Sequence, residues 1–133
     1  MYHYQNYIMT NIKPTDSELE ILQVIWQHGP SSVREINDIL NIRRDVGYTT
    51  TLKILQIMNE KGLVKRDTAQ KSHIYKALVK ENDTKNNLIN DFVKTTFHGS
   101  AMNLVLQALG NSNSSPEELI ELKALIQQIE NKA

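Results

Sequence analysis

Tyr48, Thr49, Thr50, Lys53 and Gln56 are the side chains of this 133-residue chain whose types and spacing best suit recognition of a polar surface. At 3.6 residues per turn, Thr49, Lys53 and Gln56 fall on one stripe of a helix with Thr50 on its shoulder, while Thr51, Leu55 and Met58, with Ile54 beside them, fall on the other. Short hydroxyls, an amide and one ammonium allow close approach to a polar partner. Thr hydroxyls and methyls read base edges, and Lys prefers guanine or phosphate. Gly47 is expected to permit a tight start to this helix and Gly62 to stop it after Lys61. A short, β-prone, basic run follows, Leu63-Val64-Lys65-Arg66, then a polar turn over 68–72 of four or five residues, then His73-Ile74-Tyr75-Lys76-Ala77. A polar-faced helix followed by a basic two-stranded hairpin has the form of a recognition helix and its wing. An ordinary amphipathic helix with a solvated face is the competing reading of this window, so the rest of the chain decides.

The elements upstream fit a helix-turn-helix. Thr15-Asp16-Ser17-Glu18 reads as a capping box, and Leu19, Leu22, Ile25 and Trp26, widened by Ile21 and Val24, give the helix it opens a broad core face. Gly29-Pro30 ends that helix, with Gly29 as a left-handed cap. Ser32-Val33-Arg34-Glu35 is a second capping box, opening a short helix that buries Val33, Ile36 and Leu40. The connector 41–45 carries Arg43 and Arg44. The resulting order is α-α-α-β-β, in which the second helix crosses a nucleic-acid backbone and the third enters the major groove.

Charge is segregated although the formal net charge is zero. Residues 43–80 hold nine Lys or Arg against three acids, whereas 81–133 hold four against seven. A basic segment joined to an acidic one is the footprint of a nucleic-acid-binding module attached to a module of another kind. The absence of cysteine excludes disulfides, thiolate metal sites and cysteine-based catalysis, and is compatible with the cytoplasm. No apolar run approaches the roughly 20 residues that span a bilayer, so no membrane partner is expected. The four histidines are scattered, and no paired carboxylates, metal-ligand spacing or glycine-rich phosphate loop is present, so neither an enzyme nor a cofactor is expected.

Beyond Lys80 the composition changes. One helix is expected over 81–97, with Leu88, Ile89, Phe92, Val93 and Phe97 as its stripe, closed by His98-Gly99. Ser100 caps a second over 101–109, apolar on nearly every side (Leu104 and Val105 among others). A flexible connector is expected over 110–114. Ser115-Pro116-Glu117-Glu118 opens a last helix bearing Leu119, Leu122, Leu125, Ile126 and Ile129. Three helices this apolar, over only about 50 residues, cannot bury their faces alone, and the economical partner is a second copy.

Taken together, these stretches resemble the BlaI/MecI/CopY family of bacterial repressors. The likeness is carried by Pro14-Thr15-Asp16-Ser17-Glu18-Leu19-Glu20-Ile21-Leu22, Ile25-Trp26, Val33-Arg34-Glu35-Ile36 and Gly47-Tyr48-Thr49-Thr50-Thr51-Leu52. It continues through Met58, Glu60-Lys61-Gly62-Leu63-Val64, His73-Ile74-Tyr75, Phe97-His98-Gly99-Ser100 and Ser115-Pro116-Glu117-Glu118-Leu119. The resemblance implies a winged-helix dimer that represses genes by covering operator DNA, with the C-terminal helices as dimer interface. It also implies a partner sensor protease acting on the helix that holds Leu106, Gln107 and Ala108. This chain departs from the family at two points. It lacks the C-terminal cysteines of copper-responsive members, and Gln107-Ala108 stands where the cleaved Asn-Phe bond is usual.

The expected protein is therefore mainly α with a small β-hairpin. Residues 1–13 form a flexible leader in which Met9 rivals Met1 as the natural start, 14–80 a winged helix-turn-helix, and 81–133 a helical dimerisation region. Tyr48, Thr49, Thr50, Lys53 and Gln56 are expected at base edges, and Arg34, Arg43, Arg44, Arg66 and Lys71 at phosphates. Leu88, Phe92, Phe97, Leu104, Val105, Leu119, Leu122 and Ile126 are expected between protomers. The partners expected are double-stranded operator DNA and a second copy of the chain. The alternative from another class is a winged-helix module for protein–protein contact without DNA binding.

Overall fold

The computed structural model describes residues 12–69, 71–111 and 113–132, so the expected leader and the question of the natural start lie almost wholly outside the described residues. The chain divides into two compact units, one up to Ile89 and one from Asn90.

In the first unit, α1 (Asp16–His28), β1 (Ser31–Ser32), α2 (Val33–Leu40), α3 (Tyr48–Lys61), β2 (Val64–Asp67) and β3 (Ile74–Ala77) follow in order. Both expected capping boxes form. The Glu18 N–H donates to Thr15 Oγ1 and the Thr15 N–H to Glu18 Oε1, and Ser32 and Glu35 repeat the exchange at α2. Gly29, at φ +84°, closes α1 in a conformation that L side chains rarely adopt. Gly62 ends α3 in the left-handed region as expected.

The β structure is larger than a hairpin. β3 pairs antiparallel with β2 and also with β1, giving a three-stranded sheet in the order β1-β3-β2. Ser31 lies opposite Tyr75, and Ser32 opposite Ile74. The two serines thus serve as a strand as well as a helix start, a pairing invisible locally because its partner is far along the chain. The wing loop runs over 68–73, longer than the expected turn, because β2 extends to Asp67 and β3 begins at Ile74. The Asp67 side chain accepts from the Ala69 N–H at 2.9 Å where the loop leaves β2.

Tyr75, on the central strand, is fully buried together with Ile21, Leu22, Ile36, Leu55 and Met58. Burial of each large apolar side chain here contributes about 1.5–3 kcal/mol. Trp26 is half-buried against the core that its stripe faces, and its indole N–H donates to the Val79 carbonyl at 3.0 Å, tying α1 to the chain beyond β3. Among the described residues every buried side-chain nitrogen and oxygen has a partner.

The remaining helices are α4 (Glu81–Thr96), α5 (Ala101–Asn111) and α6 (Pro116–Lys132). α4 ends where His98 and Gly99 both take positive φ. Ser100 caps α5 by accepting from the Asn103 N–H, and Ser115 and Glu118 form a reciprocal box at α6. The connector expected over 110–114 is shorter than supposed. Gly110 and Asn111 belong to α5, since one glycine in the last turn costs only about 1 kcal/mol relative to alanine. Among the described residues no helix is long and apolar enough to cross a membrane.

Candidate nucleic-acid interface

α3 presents its two stripes as the periodicity requires. Thr51, Leu55 and Met58 are buried, and Thr49, Thr50, Lys53 and Gln56 are exposed. Gly47 does not provide a tight start in the expected sense. Its φ of −70° and ψ of 148° are open to any residue, and an added Cβ would meet Thr50 Oγ1 only at 4.0 Å. The start of α3 is fixed from α2 instead. Asn37 Nδ2 donates to the Val46 carbonyl at 2.9 Å and to Thr51 Oγ1 at 2.8 Å. Asn41 Nδ2 donates to the same carbonyl at 2.8 Å, and Asn41 Oδ1 accepts from the Val46 N–H at 3.1 Å. The far end of α3 is held by Glu18. Its nearly buried carboxylate accepts from Lys61 Nζ at 2.8 and 3.1 Å. Burial pushes this carboxyl up, but the Lys61 hydrogen bond, the Thr15 hydrogen bonds and the Lys61 charge together hold it below the usual carboxylate range.

A cleft of about 650 Å³ opens between the N-terminal half of α2, one side of α3 and the wing. Arg34 comes from α2, Tyr48, Leu52 and Gln56 from α3, and Arg66, Lys71 and His73 from the wing. The Arg34 guanidinium lies 5.5 Å from the centroid of the Tyr48 ring, a cation–π contact worth about 0.5–1 kcal/mol at an exposed position. The Arg66 N–H donates to Asn59 Oδ1 at 3.1 Å, so the base of the wing is tied to α3. The structure therefore brings together five of the expected nucleic-acid contacts, Arg34, Tyr48, Gln56, Arg66 and Lys71, with Thr49, Thr50 and Lys53 exposed on the same helix.

It does not bring Arg43 and Arg44 to this cleft. They line a separate depression with Asp16, Ser17 and Glu20, where Arg44 forms an ion pair with Glu20 at 2.6 Å. The Glu20 hydrogen bond and charge push the Arg44 pKa up. Two acids that the sequence did not single out for this surface, Glu35 and Asp38, also line the main cleft. Glu35 is engaged in its capping box, where the Ser32 N–H and hydroxyl hold its carboxyl below the usual range. Ser72 and His73, which the sequence likewise did not single out for this surface, line it too. Their proximity to α2 depends on the β1–β3 pairing, which has no local signature.

Among the residues expected between protomers, Leu88, Phe97, Leu104 and Leu122 are half-buried, and Phe92, Val105, Leu119 and Ile126 are exposed. The Phe92 and Phe97 rings meet edge to face at 5.5 Å. Leu106, Gln107 and Ala108 are exposed and helical in α5, and the first two line a shallow depression with Phe97 and Asn103.

Residues 14–128 match the penicillinase repressor family. The chain is 25% identical over 112 residues to the methicillin resistance regulatory protein MecI of Mammaliicoccus sciuri, covering 84% of this chain and 91% of that protein. It is 25% identical over 118 residues to the penicillinase repressor of Bacillus licheniformis, covering 89% and 92%. Staphylococcus aureus MarR, solved with salicylate and kanamycin, shares the fold at a TM-score of 0.52 and 16% identity, over 96% of this chain and 79% of that one. The fold is thus that of a winged helix. The family match takes in α1 to α3, the whole sheet, α4, α5 and most of α6. With its winged fold and nearly its whole length accounted for, the chain belongs to the penicillinase repressor family, whose members are DNA-binding transcriptional repressors and not enzymes.

Proposed function

We propose that this protein is a homodimeric, cytoplasmic repressor that covers an inverted-repeat operator and is released when its dimerisation region is inactivated. Residues 14–80 form the DNA-binding module in this reading, and 81–133 the dimerisation region. The observation that carries it is the convergence of Arg34, Arg66 and Lys71 on one cleft beside a helix whose outward face is Thr49, Thr50, Lys53 and Gln56. α3 lies in the major groove, where Thr49, Thr50 and Lys53 read base edges with Tyr48 and Gln56 at the margin. Arg34, Arg66 and Lys71 contact phosphates, which fixes register without reading sequence. Arg44 is left out of this set because Glu20 already neutralises it.

Support for the dimer lies in the exposed apolar side chains of α5 and α6, among them Met102, Leu106, Ile120 and Ile129, each at least 60% exposed. Surface of that character marks an interaction site. Release by a partner sensor protease fits the exposure of Leu106, Gln107 and Ala108. Footprinting on genomic DNA, combined with a salt titration, tests the reading. The expected result is protection of paired, inverted half-sites, with log affinity falling linearly against log salt at about 0.9 per phosphate contacted. Binding to protein partners with no salt-dependent DNA affinity would instead establish a protein–protein module.

A further inference from the structure

We infer that Asn37 is a positioning residue for sequence readout, a latch on α2 that sets where and at what angle α3 begins. The inference rests on the DNA-binding reading above and deepens it. α1 and α2 each start at a capping box of their own, whereas α3 starts at Gly47 with no side-chain cap. What defines its first turn comes from α2. The buried Asn37 amide spends both N–H donors across the helix-turn-helix, on the Val46 carbonyl just before α3 and on the hydroxyl of Thr51 within its first turn. Asn41 holds the same residue through both the Val46 N–H and its carbonyl.

Besides the exposed Arg34–Tyr48 contact, the two helices share apolar core residues, Ile36, Leu40 and Leu55 among them. Apolar contacts are non-directional and tolerate sliding. A hydrogen bond does not, since it weakens steeply outside a window of roughly half an ångström. The same window governs base readout by Thr49, Thr50 and Lys53, on the very turns that Asn37 holds. Phosphate contacts from the long Arg34, Arg66 and Lys71 side chains are more forgiving. Loss of the latch should therefore cost sequence discrimination while leaving general DNA affinity in place.

The test begins with selection of the preferred duplex from a random pool by the full-length wild-type protein. Affinities for that duplex and for a scrambled one are then measured for Asn37→Ala, Thr51→Val and Ile36→Val across a range of salt. Asn37→Ala and Thr51→Val should each lower the ratio of specific to scrambled affinity by about tenfold, comparable to losing one base contact. The salt slope and scrambled-DNA affinity should stay within about twofold of wild type. In the double variant the two losses should add only in part, because both variants remove the Asn37–Thr51 bond. Ile36→Val, a core change with its own stability cost, should leave the ratio alone. Thr51→Val preserves shape and carries the test if Asn37→Ala does not fold. An unchanged ratio in the folded variants, or an equal loss in Ile36→Val, overturns the latch and leaves the DNA-binding reading standing. Failure of the wild type to select any duplex overturns both.

Discussion

Lys53 and Lys71 carry the same charge on the same module, yet the proposed function gives them different work. Lys53 stands on the outward stripe of α3, and Lys71 on the wing at the edge of the cleft. Lys53→Ala and Thr50→Ala should each weaken binding to the preferred duplex by about 1–3 kcal/mol and relax base preference. Lys71→Ala and Arg66→Ala should lower affinity for all sequences alike and flatten the salt slope by about one phosphate each. Equal losses on preferred and random DNA for Lys53→Ala would refute its place at a base edge. The polar stripe was legible in the sequence because helical periodicity alone sorts Thr49, Lys53 and Gln56 from Thr51, Leu55 and Met58. The roles of Asn37 and Glu18 were not. Glu18 is recognisable as a capping residue from its local spacing, but its ion-pair partner Lys61 lies 43 residues away. Thr51 read as a small member of an apolar stripe until Asn37, 14 residues upstream, supplied its hydroxyl with a donor. The ion pair of Arg44 was hidden for the same reason, because its carboxylate partner sits on α1.

At the scale of elements, helix starts were the most readable features, since a capping box is written in four consecutive residues. Strand β1 and the length of the wing loop were not readable, because pairing partners lie far apart and register is a tertiary property. The Glu18–Lys61 pair joins the first turn of α1 to the last of α3, so it clamps both ends of the helix-turn-helix core. Its carboxyl sits below its usual value of 4.5 when folded, with burial opposing and the Lys61 and Thr15 contacts prevailing. The sign follows directly. A depressed carboxyl contributes stability that is fully present above its unfolded pKa and is lost as pH falls through the folded value. Urea unfolding of the wild type should thus show stability declining below about pH 4.5, and Glu18→Gln should flatten that decline. Near neutral pH, Lys61→Met should cost about 1–3 kcal/mol, because it leaves a nearly buried carboxylate without its ammonium. A Glu18→Gln profile that parallels the wild type across the acid range would remove the clamp from this account.

For the whole molecule, the unit up to Ile89 encloses a core of its own, whereas α5 and α6 hold no buried residue among those described. The sequence anticipated this imbalance, since the helices beyond Lys80 carry more apolar side chains than a short segment can hide. Which of those side chains meet across a two-fold axis was not legible, because the partner surface is the same sequence read a second time. If that partner is a second copy, its effect on DNA binding is one of avidity. Two linked half-sites, about one or two helical turns apart, multiply affinity by a factor on the order of 10² or more over one. Leu122→Asp with Ile126→Asp, in the full-length chain, places charge on the apolar side of α6 without touching the DNA-binding module. The variant should sediment as a monomer at micromolar concentration, bind a single half-site as the wild-type module does, and lose most of its affinity for the paired site. A chain ending at Ser100, which keeps the whole compact first unit, should behave alike and fail to repress. If either variant binds the paired site as tightly as the intact protein, dimerisation through α5 and α6 is not what holds the repressor on its operator. Release would then have to act through the winged module itself.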